Sequence, residues 1–327
     1  MLAAPTYDDV LKAVQRIDGF AVKTPLLSSK ILDEISGARV FLKAENLQRT
    51  GSFKFRGAMN AISALLEERP EIRENGVIAC SSGNHAQGIA EAAKLHSIPA
   101  TIIMPSDAPE IKVMRTRRSG ATVLFYDREN EDRDVVTNTK VLETGATLIH
   151  PFNNPYVIAG QGTCALEAAE IFDQQGLKPD CVFACTGGGG FSAGIALVMQ
   201  ERFPEARFHT VEPEGFDDYR RSLNEGKRVA NDATTGSLCD AIITPMPGEI
   251  SFSILKNYAD TGYTISDEDA LRAVAFAFNE LKIVVEPGGA AALACLLSQR
   301  VDVKGQTVLV TLSGGNIDPA MMQRALL

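Results

Sequence analysis

The chain has no tryptophan, only four histidines, and no cysteine pair at the C-x-x-C spacing of a redox or zinc motif. Its six cysteines (80, 164, 181, 185, 239, 295) stand singly, and histidines 85, 96, 150 and 209 lie far apart in sequence. Neither a disulfide framework nor a zinc site is therefore signalled. Cys181 and Cys185 are expected on a buried strand as small apolar residues. No apolar run approaches the length needed to span a bilayer, and the segment Met1 to Gln15, which carries Asp8 and Asp9, lacks the apolar core of a signal peptide. The reading is a cytoplasmic protein. Positive charge is also short: 32 Lys and Arg against 41 Asp and Glu give a formal charge of -9 and a pI near 5.1. Nucleic acid and anionic membranes both demand a basic surface, so neither is expected as the main partner. Low-complexity tracts, short-period repeats and long Pro/Ser-rich linkers are absent as well.

What is present is 327 residues with 45% hydrophobic content, enough for two lobes with real cores. Thr6 reads as the N-cap of a helix to about Ile17, Thr24-Pro25 starts an extended segment, and Arg39 to Lys43 reads as a strand. From there strand, polar or glycine loop, and helix alternate. Val77 to Cys80, Ala100 to Met104 and Ala121 to Tyr126 are strands of a first series, each followed by a helix. Cys181 to Cys185, Phe208 to Glu212 and Thr307 to Leu312 belong to a second, which opens with a helix from Tyr156 to Phe172. Such alternation indicates mainly parallel sheets covered by helices. The fold class is α/β, with two tightly abutting lobes and the site between them. Because Arg39 to Lys43 precedes the first series, the smaller lobe reads as an insertion, residues 51–150, in a larger one made of 1–50 and 151–327.

The most unusual stretch is Gly51-Ser52-Phe53-Lys54-Phe55-Arg56-Gly57-Ala58. A lysine between phenylalanines is poorly hydrated, which favours its neutral, nucleophilic form and suits a Schiff-base lysine. A snorkelling lysine at a helix start is the local alternative. Glycines 187–190 follow a strand and precede a helix, where free N–H groups and the helix dipole bind phosphate. A nicotinamide-dependent oxidoreductase is a competing reading, with Gly187-x-Gly189 as fingerprint and Glu212 as the ribose-binding acid. Ser192 replaces its third glycine, however, and that reading leaves Lys54 without a task. Ser81-Ser82-Gly83-Asn84-His85 is a strand-to-helix corner suited to a carboxylate, although one such residue would suffice for capping. Ser313-Gly314-Gly315-Asn316 ends the last strand, where ligands commonly sit in open α/β sheets.

Together these stretches, with Ala86-Gln87-Gly88 after the second and with Glu286-Pro287-Gly288-Gly289-Ala290-Ala291, resemble the serine/threonine dehydratase family of fold type II pyridoxal-phosphate (PLP) enzymes, which share the tryptophan synthase β-like fold. The resemblance runs in family order over almost the whole chain. It implies that Lys54 bonds the cofactor and moves the Cα proton, that Phe53 lies beside the cofactor ring, that Asn84 bonds its phenolic oxygen, and that Ser313 faces the pyridine nitrogen. It further implies that Gly187, Gly188, Gly189 and Gly190, with Phe191 behind them, hold the phosphate, and that Ser81, Ser82, Gly83, Asn84 and His85 hold the substrate carboxylate. The implied reaction is β-elimination to a 2-oxo acid and ammonia.

Two features narrow the branch to serine racemases and 3-hydroxyaspartate dehydratases. Ser82 matches their second acid/base on the face opposite the lysine, and Glu212, Phe216 (through its carbonyl) and Asp218 match their divalent-cation site, for Mg2+, Mn2+ or Ca2+. An acidic helix N-terminus is the local alternative for the latter. Arg133 matches an arginine that binds a second carboxylate, as against a solvated helix charge; this puts 3-hydroxyaspartate ahead of serine and threonine. Thr244-Pro245-Met246-Pro247 departs from the racemase pattern of two adjacent serines. The expected activity is thus a 3-hydroxy amino acid ammonia-lyase, with racemization through Lys54 and Ser82 as the alternative. A homodimer is implied, and since the chain ends soon after Ser313, no appended regulatory domain is expected.

Overall fold

The apolar stretches at 39–44, 181–185, 207–213 and 307–312 are buried along nearly their whole length, as strands covered on both faces must be. The computed structural model describes residues 3–108 and 110–327; Pro109, which the sequence places in a loop before a helix, lies outside them with Met1 and Leu2. Ten strands occur in chain order: β1 (Leu26–Ser28), β2 (Arg39–Ala44), β3 (Val77–Cys80), β4 (Ala100–Pro105), β5 (Thr122–Tyr126), β6 (Thr147–Leu148), β7 (Cys181–Cys185), β8 (Arg207–Pro213), β9 (Ala259–Ile265) and β10 (Thr307–Leu312). They form a six-stranded sheet, β1-β2-β10-β7-β8-β9, and a four-stranded one, β5-β4-β3-β6. All pairs are parallel except β1 with β2. Since β2 pairs with β10, the chain starts the larger sheet, leaves it for the residues that build the smaller one, and returns.

Cys181 and Cys185 lie buried on β7 and every cysteine is a free thiol, so they pack as apolar residues. The first helix, Tyr7–Ile17, begins at Thr6 with a reciprocal capping box to Asp9. β9 and β6 are the strands with the weakest sequence signal. β9 is a sheet edge with only two of its seven residues buried, and β6 has two residues. Among the described residues no helix is long and apolar enough to cross a membrane.

Two long helices meet at the seam between the sheets. Lys54–Glu68 packs on Pro155–Gln174, and the approach is close because glycines face each other: a Cβ at Gly57 would stand 2.7 Å from the Val157 carbonyl, and one at Gly160 2.7 Å from the Arg56 carbonyl. On its other side the Lys54 helix meets Asn84–Leu95, where a Cβ at Gly88 would come within 3.2 Å of the Lys54 backbone. Small residues at these contacts set where Lys54 sits.

Candidate active site

Three restraints fix Lys54. The loop before it pairs with the loop after β10: the Phe53 N–H donates to the Ser313 carbonyl at 3.1 Å, Ser52 bridges Gly314, and the Gly315 N–H donates to the Gly51 carbonyl at 2.9 Å. Two residues on, the fully buried Arg56 donates to both oxygens of Glu45 at 2.7 and 2.9 Å and to both of Glu167 at 2.7 and 2.8 Å. Burial works to raise the Glu45 pKa, but the Arg56 guanidinium outweighs it and holds that carboxyl below its ordinary value. Lastly, the Lys54 ammonium donates to the Pro151 carbonyl at 3.2 Å and lies 5.1 Å from the centre of the Phe53 ring. Burial pushes this amine down to about 8, with Glu286 pulling the other way. An amine there is part neutral near pH 7–8, as a Schiff-base nucleophile requires.

Glu286 has a weak local signal, a single acid in Ile283-Val-Val-Glu-Pro-Gly-Gly. It accepts a 2.6 Å hydrogen bond from Asn84, whose carbonyl oxygen accepts from Asn316 at 2.7 Å. Burial pushes Glu286 up to about 7 against that Asn84 bond. Two imidazoles also stand near Lys54, and both are neutral at pH 7. His85 is pushed down to about 3 by burial and the Lys54 charge; its Nε2–H donates to the Ile149 carbonyl at 3.0 Å, leaving Nδ1 buried without a partner among the described residues. His150, lowered to about 4 by burial, Arg133 and Lys54, accepts at Nδ1 from the Asn153 N–H at 3.0 Å. His150 and Phe152 were not singled out by sequence, because only the fold carries them to Lys54 and the glycine run.

The corner Ser81–His85 is half-open, with open space beside Gly83. Ser81 Oγ accepts from the Gly83 N–H at 3.2 Å. Among the described residues the N–H groups of Ser82, Asn84, His85 and Ala86 have no protein acceptor, which leaves them for an anion. The same holds for the N–H groups of Gly187 to Ser192, at the start of the helix Gly190–Arg202. A side chain at Gly188 would run into the Phe152 ring, and Gly189 has φ +84°. Phe191 stacks on Phe53 with ring centres 4.0 Å apart, joining this loop to the lysine loop. These features fit a phosphorylated aldehyde: an anion cradle, an activated amine and an aromatic wall.

Arg133 stands at the first turn of Arg133–Thr144, half-exposed, with Nε donating to Asp134 at 3.1 Å; it is close enough to lower His150 electrostatically. Glu212 lies near the end of β8, and Asp218 opens the helix Asp218–Glu225. Glu212 accepts from the backbone of Tyr219 at 2.8 Å and of Arg220 at 2.9 Å, so its oxygens are turned to the protein and not to a ribose. Asp218 accepts from Asn231 at 2.7 Å through one oxygen, and the other is buried without a partner among the described residues. Burial and mutual proximity raise the pKa of Glu212, and burial that of Asp218. The Phe216 carbonyl accepts no hydrogen bond from a described residue. No three His, Cys, Asp or Glu side chains gather as a cation cluster among the described residues.

A family model described as pyridoxal-phosphate dependent enzyme matches residues 17–314. The chain is 44% identical over 313 residues to an L-threo-3-hydroxyaspartate ammonia-lyase of a Pseudomonas species, covering 96% of each chain. It is 42% identical to a serine racemase of Schizosaccharomyces pombe, covering 97% of this chain and 96% of that one. Among solved structures, maize serine racemase superposes with a TM-score of 0.90 at 33% identity, over 99% of this chain and 97% of the other.

Proposed function

The chain belongs to the pyridoxal-phosphate dependent enzymes, and from that premise we propose that it is an ammonia-lyase for 3-hydroxy amino acids, 3-hydroxyaspartate first among them. The observation that carries this reading is Lys54, a buried-side amine at about 8 beside two free N–H cradles and two neutral imidazoles. The similarity to the Pseudomonas ammonia-lyase supports the choice of reaction.

Bound pyridoxal phosphate supplies an electron sink for the pair left when the Cα–H bond breaks. The chain's residues do the rest. N–H groups of Gly187 to Ser192 would hold the cofactor's phosphate, and Asn84 and Ser313 would contact its ring. N–H groups at Ser82 and Asn84 to Ala86 would hold the substrate α-carboxylate. Lys54 takes the Cα proton. The β-hydroxyl leaves with a proton as water, and water then releases ammonia, leaving a 2-oxo acid. Arg133 pairs with the second carboxylate of a dicarboxylic substrate, for which its guanidinium fork is suited. Keeping both histidines neutral leaves Lys54 without a competing cation. Ser82, half-exposed and without a hydrogen bond among the described residues, would return the proton in a racemase, and the similarity to the S. pombe protein supports this second reading.

A divalent cation at Glu212, Asp218 and the Phe216 carbonyl also belongs to this proposal. The unpartnered Asp218 oxygen and the raised pKa values of two adjacent buried carboxylates support it, since a cation removes the repulsion that a proton otherwise must. A cytoplasmic homodimer is the expected working form, tested by sedimentation.

The test is to incubate the purified enzyme with each stereoisomer of serine, threonine and 3-hydroxyaspartate and to separate oxo acid from inverted amino acid. Oxo acid and ammonia in equal amounts, fastest from a hydroxyaspartate isomer, are expected. Inversion outrunning ammonia release on every substrate would overturn the reading.

A further inference from the structure

Tyr219 touches both halves of the proposed machinery. Its N–H donates to Glu212 at 2.8 Å, and it directly follows Asp218. Its hydroxyl, at the other end of a fully buried ring, stands 2.8 Å from Ser251 Oγ and 3.3 Å from the Gly188 carbonyl oxygen. Ser251 Oγ donates to that same carbonyl at 2.7 Å, and the Gly248 N–H reaches it at 3.1 Å. The proton order that uses the two shortest contacts runs from the Tyr219 hydroxyl to Ser251 and from Ser251 to the Gly188 carbonyl.

The carbonyl of Gly188 and the N–H of Gly189 belong to one planar trans peptide and point opposite ways. Donors that fix the carbonyl from behind therefore fix the direction of the Gly189 N–H in front. Gly189 also closes directly on the phenol: with φ +84° it has no side chain, and a Cβ there would collide with the Tyr219 hydroxyl. At the other end, both Glu212 oxygens accept N–H groups of the first turn of Asp218–Glu225, so a ligand that draws Glu212 and Asp218 together sets the position of that turn and of the Tyr219 ring.

We infer that Tyr219 is a positioning residue that couples the cation pair Glu212–Asp218 to the phosphate-holding peptide at Gly188–Gly189, so that cation and cofactor bind cooperatively. The inference rests on the cation and cofactor assignments proposed above. Coupling of this kind is reciprocal: whatever factor the cation adds to cofactor affinity, the cofactor adds to cation affinity.

The experiment uses full-length holoenzyme dialysed to equilibrium in Mn2+ or in chelator, with retained PLP read by visible absorbance and bound Mn2+ read from the resonance of the free ion. In the wild type, Mn2+ should tighten PLP retention by about fivefold or more, at the lower end of measured couplings. Tyr219→Phe keeps the ring and removes the hydroxyl. Its ratio should fall below about twofold, while its Mn2+ affinity in the absence of PLP stays within about threefold of wild type, since Glu212 and Asp218 are untouched. A Tyr219→Phe ratio equal to that of wild type would overturn the inference, as would loss of Mn2+ binding itself in that variant, which marks a structural role only. Mn2+ bound to wild type with a ratio of one removes the coupling and leaves the cation site standing. No Mn2+ bound at all removes the cation site and the coupling together.

Discussion

Replacing Arg56 by methionine tests how Lys54 is held. Arg56 is fully buried, makes four hydrogen bonds of 2.7 to 2.9 Å to Glu45 and Glu167, and is also close to Thr163 at 3.2 Å. Without it Glu45, equally buried, keeps only Thr24 and the Lys43 ammonium at 3.9 Å. Removing one partner of a buried ion pair typically costs about 3–5 kcal/mol, because the other charge is left behind. At about 2–4 °C per kcal/mol for domains somewhat smaller than this chain, the melting temperature should drop on the order of 10 °C. The pH dependence gives the cause away. In the wild type Glu45 has a lowered folded pKa, so its stabilisation is present above the ordinary carboxylate range and is lost only as pH falls through the folded value. In the variant, burial, the largest influence on Glu45, is opposed only by Lys43 and Thr24 and raises that pKa, so the folded chain binds a proton that the unfolded chain does not. The stability deficit should therefore narrow from pH 8 to pH 5. Thermal unfolding of both proteins across that range is the assay, and a deficit that is small, or the same at both ends, would refute the argument.

Other expected outcomes follow from single side chains. Gly189→Ala should weaken PLP retention about tenfold or more, because a left-handed alanine costs about 1–3 kcal/mol before its collision with Tyr219; equilibrium dialysis checks it. Glu286 has a folded pKa raised to about 7 by burial, so its contribution to stability is present below its ordinary pKa and fades as pH rises through 7. Glu286→Gln carries no such proton and should gain in melting temperature relative to wild type between pH 5 and pH 8; a constant difference counts against the raised value. Arg133→Ala should lower kcat/KM for 3-hydroxyaspartate more than for serine, and equal losses remove the dicarboxylate contact. Asp218→Ala should abolish any stabilisation by Mn2+ in thermal unfolding, whereas an unchanged response places the cation elsewhere.

The loops of the site were legible because their chemistry is local. Ser81 to His85, Gly187 to Gly190 and Ser313 to Asn316 each sit at the end of a parallel strand, and glycine or short polar residues clustered at such a corner have few other uses. Most strands were legible too, the exceptions being β6, which has two residues, and β9, an edge strand with only two buried side chains. What sequence hid is what long-range packing creates. Glu286 meets Asn84 across 202 positions, Arg56 meets Glu167 across 111, and the Lys54 ammonium meets the Pro151 carbonyl across 97. Arg56 lay inside the most conspicuous motif of the chain, yet its partners could be named only from the fold. Phe53 was expected beside the cofactor ring; its ring stacks on Phe191 and underlies the Lys54 ammonium, which ties the lysine and phosphate loops together.

The central claim, that Lys54 is the residue on which the cofactor and the chemistry depend, is tested most directly by borohydride reduction of the purified protein and mass analysis of its peptides. The account predicts a yellow protein whose visible band disappears on reduction, with one pyridoxyl group on the peptide carrying Lys54, and a Lys54→Ala variant without ammonia release from any 3-hydroxy amino acid. Pyridoxyl on another lysine, or full turnover by Lys54→Ala, would contradict it.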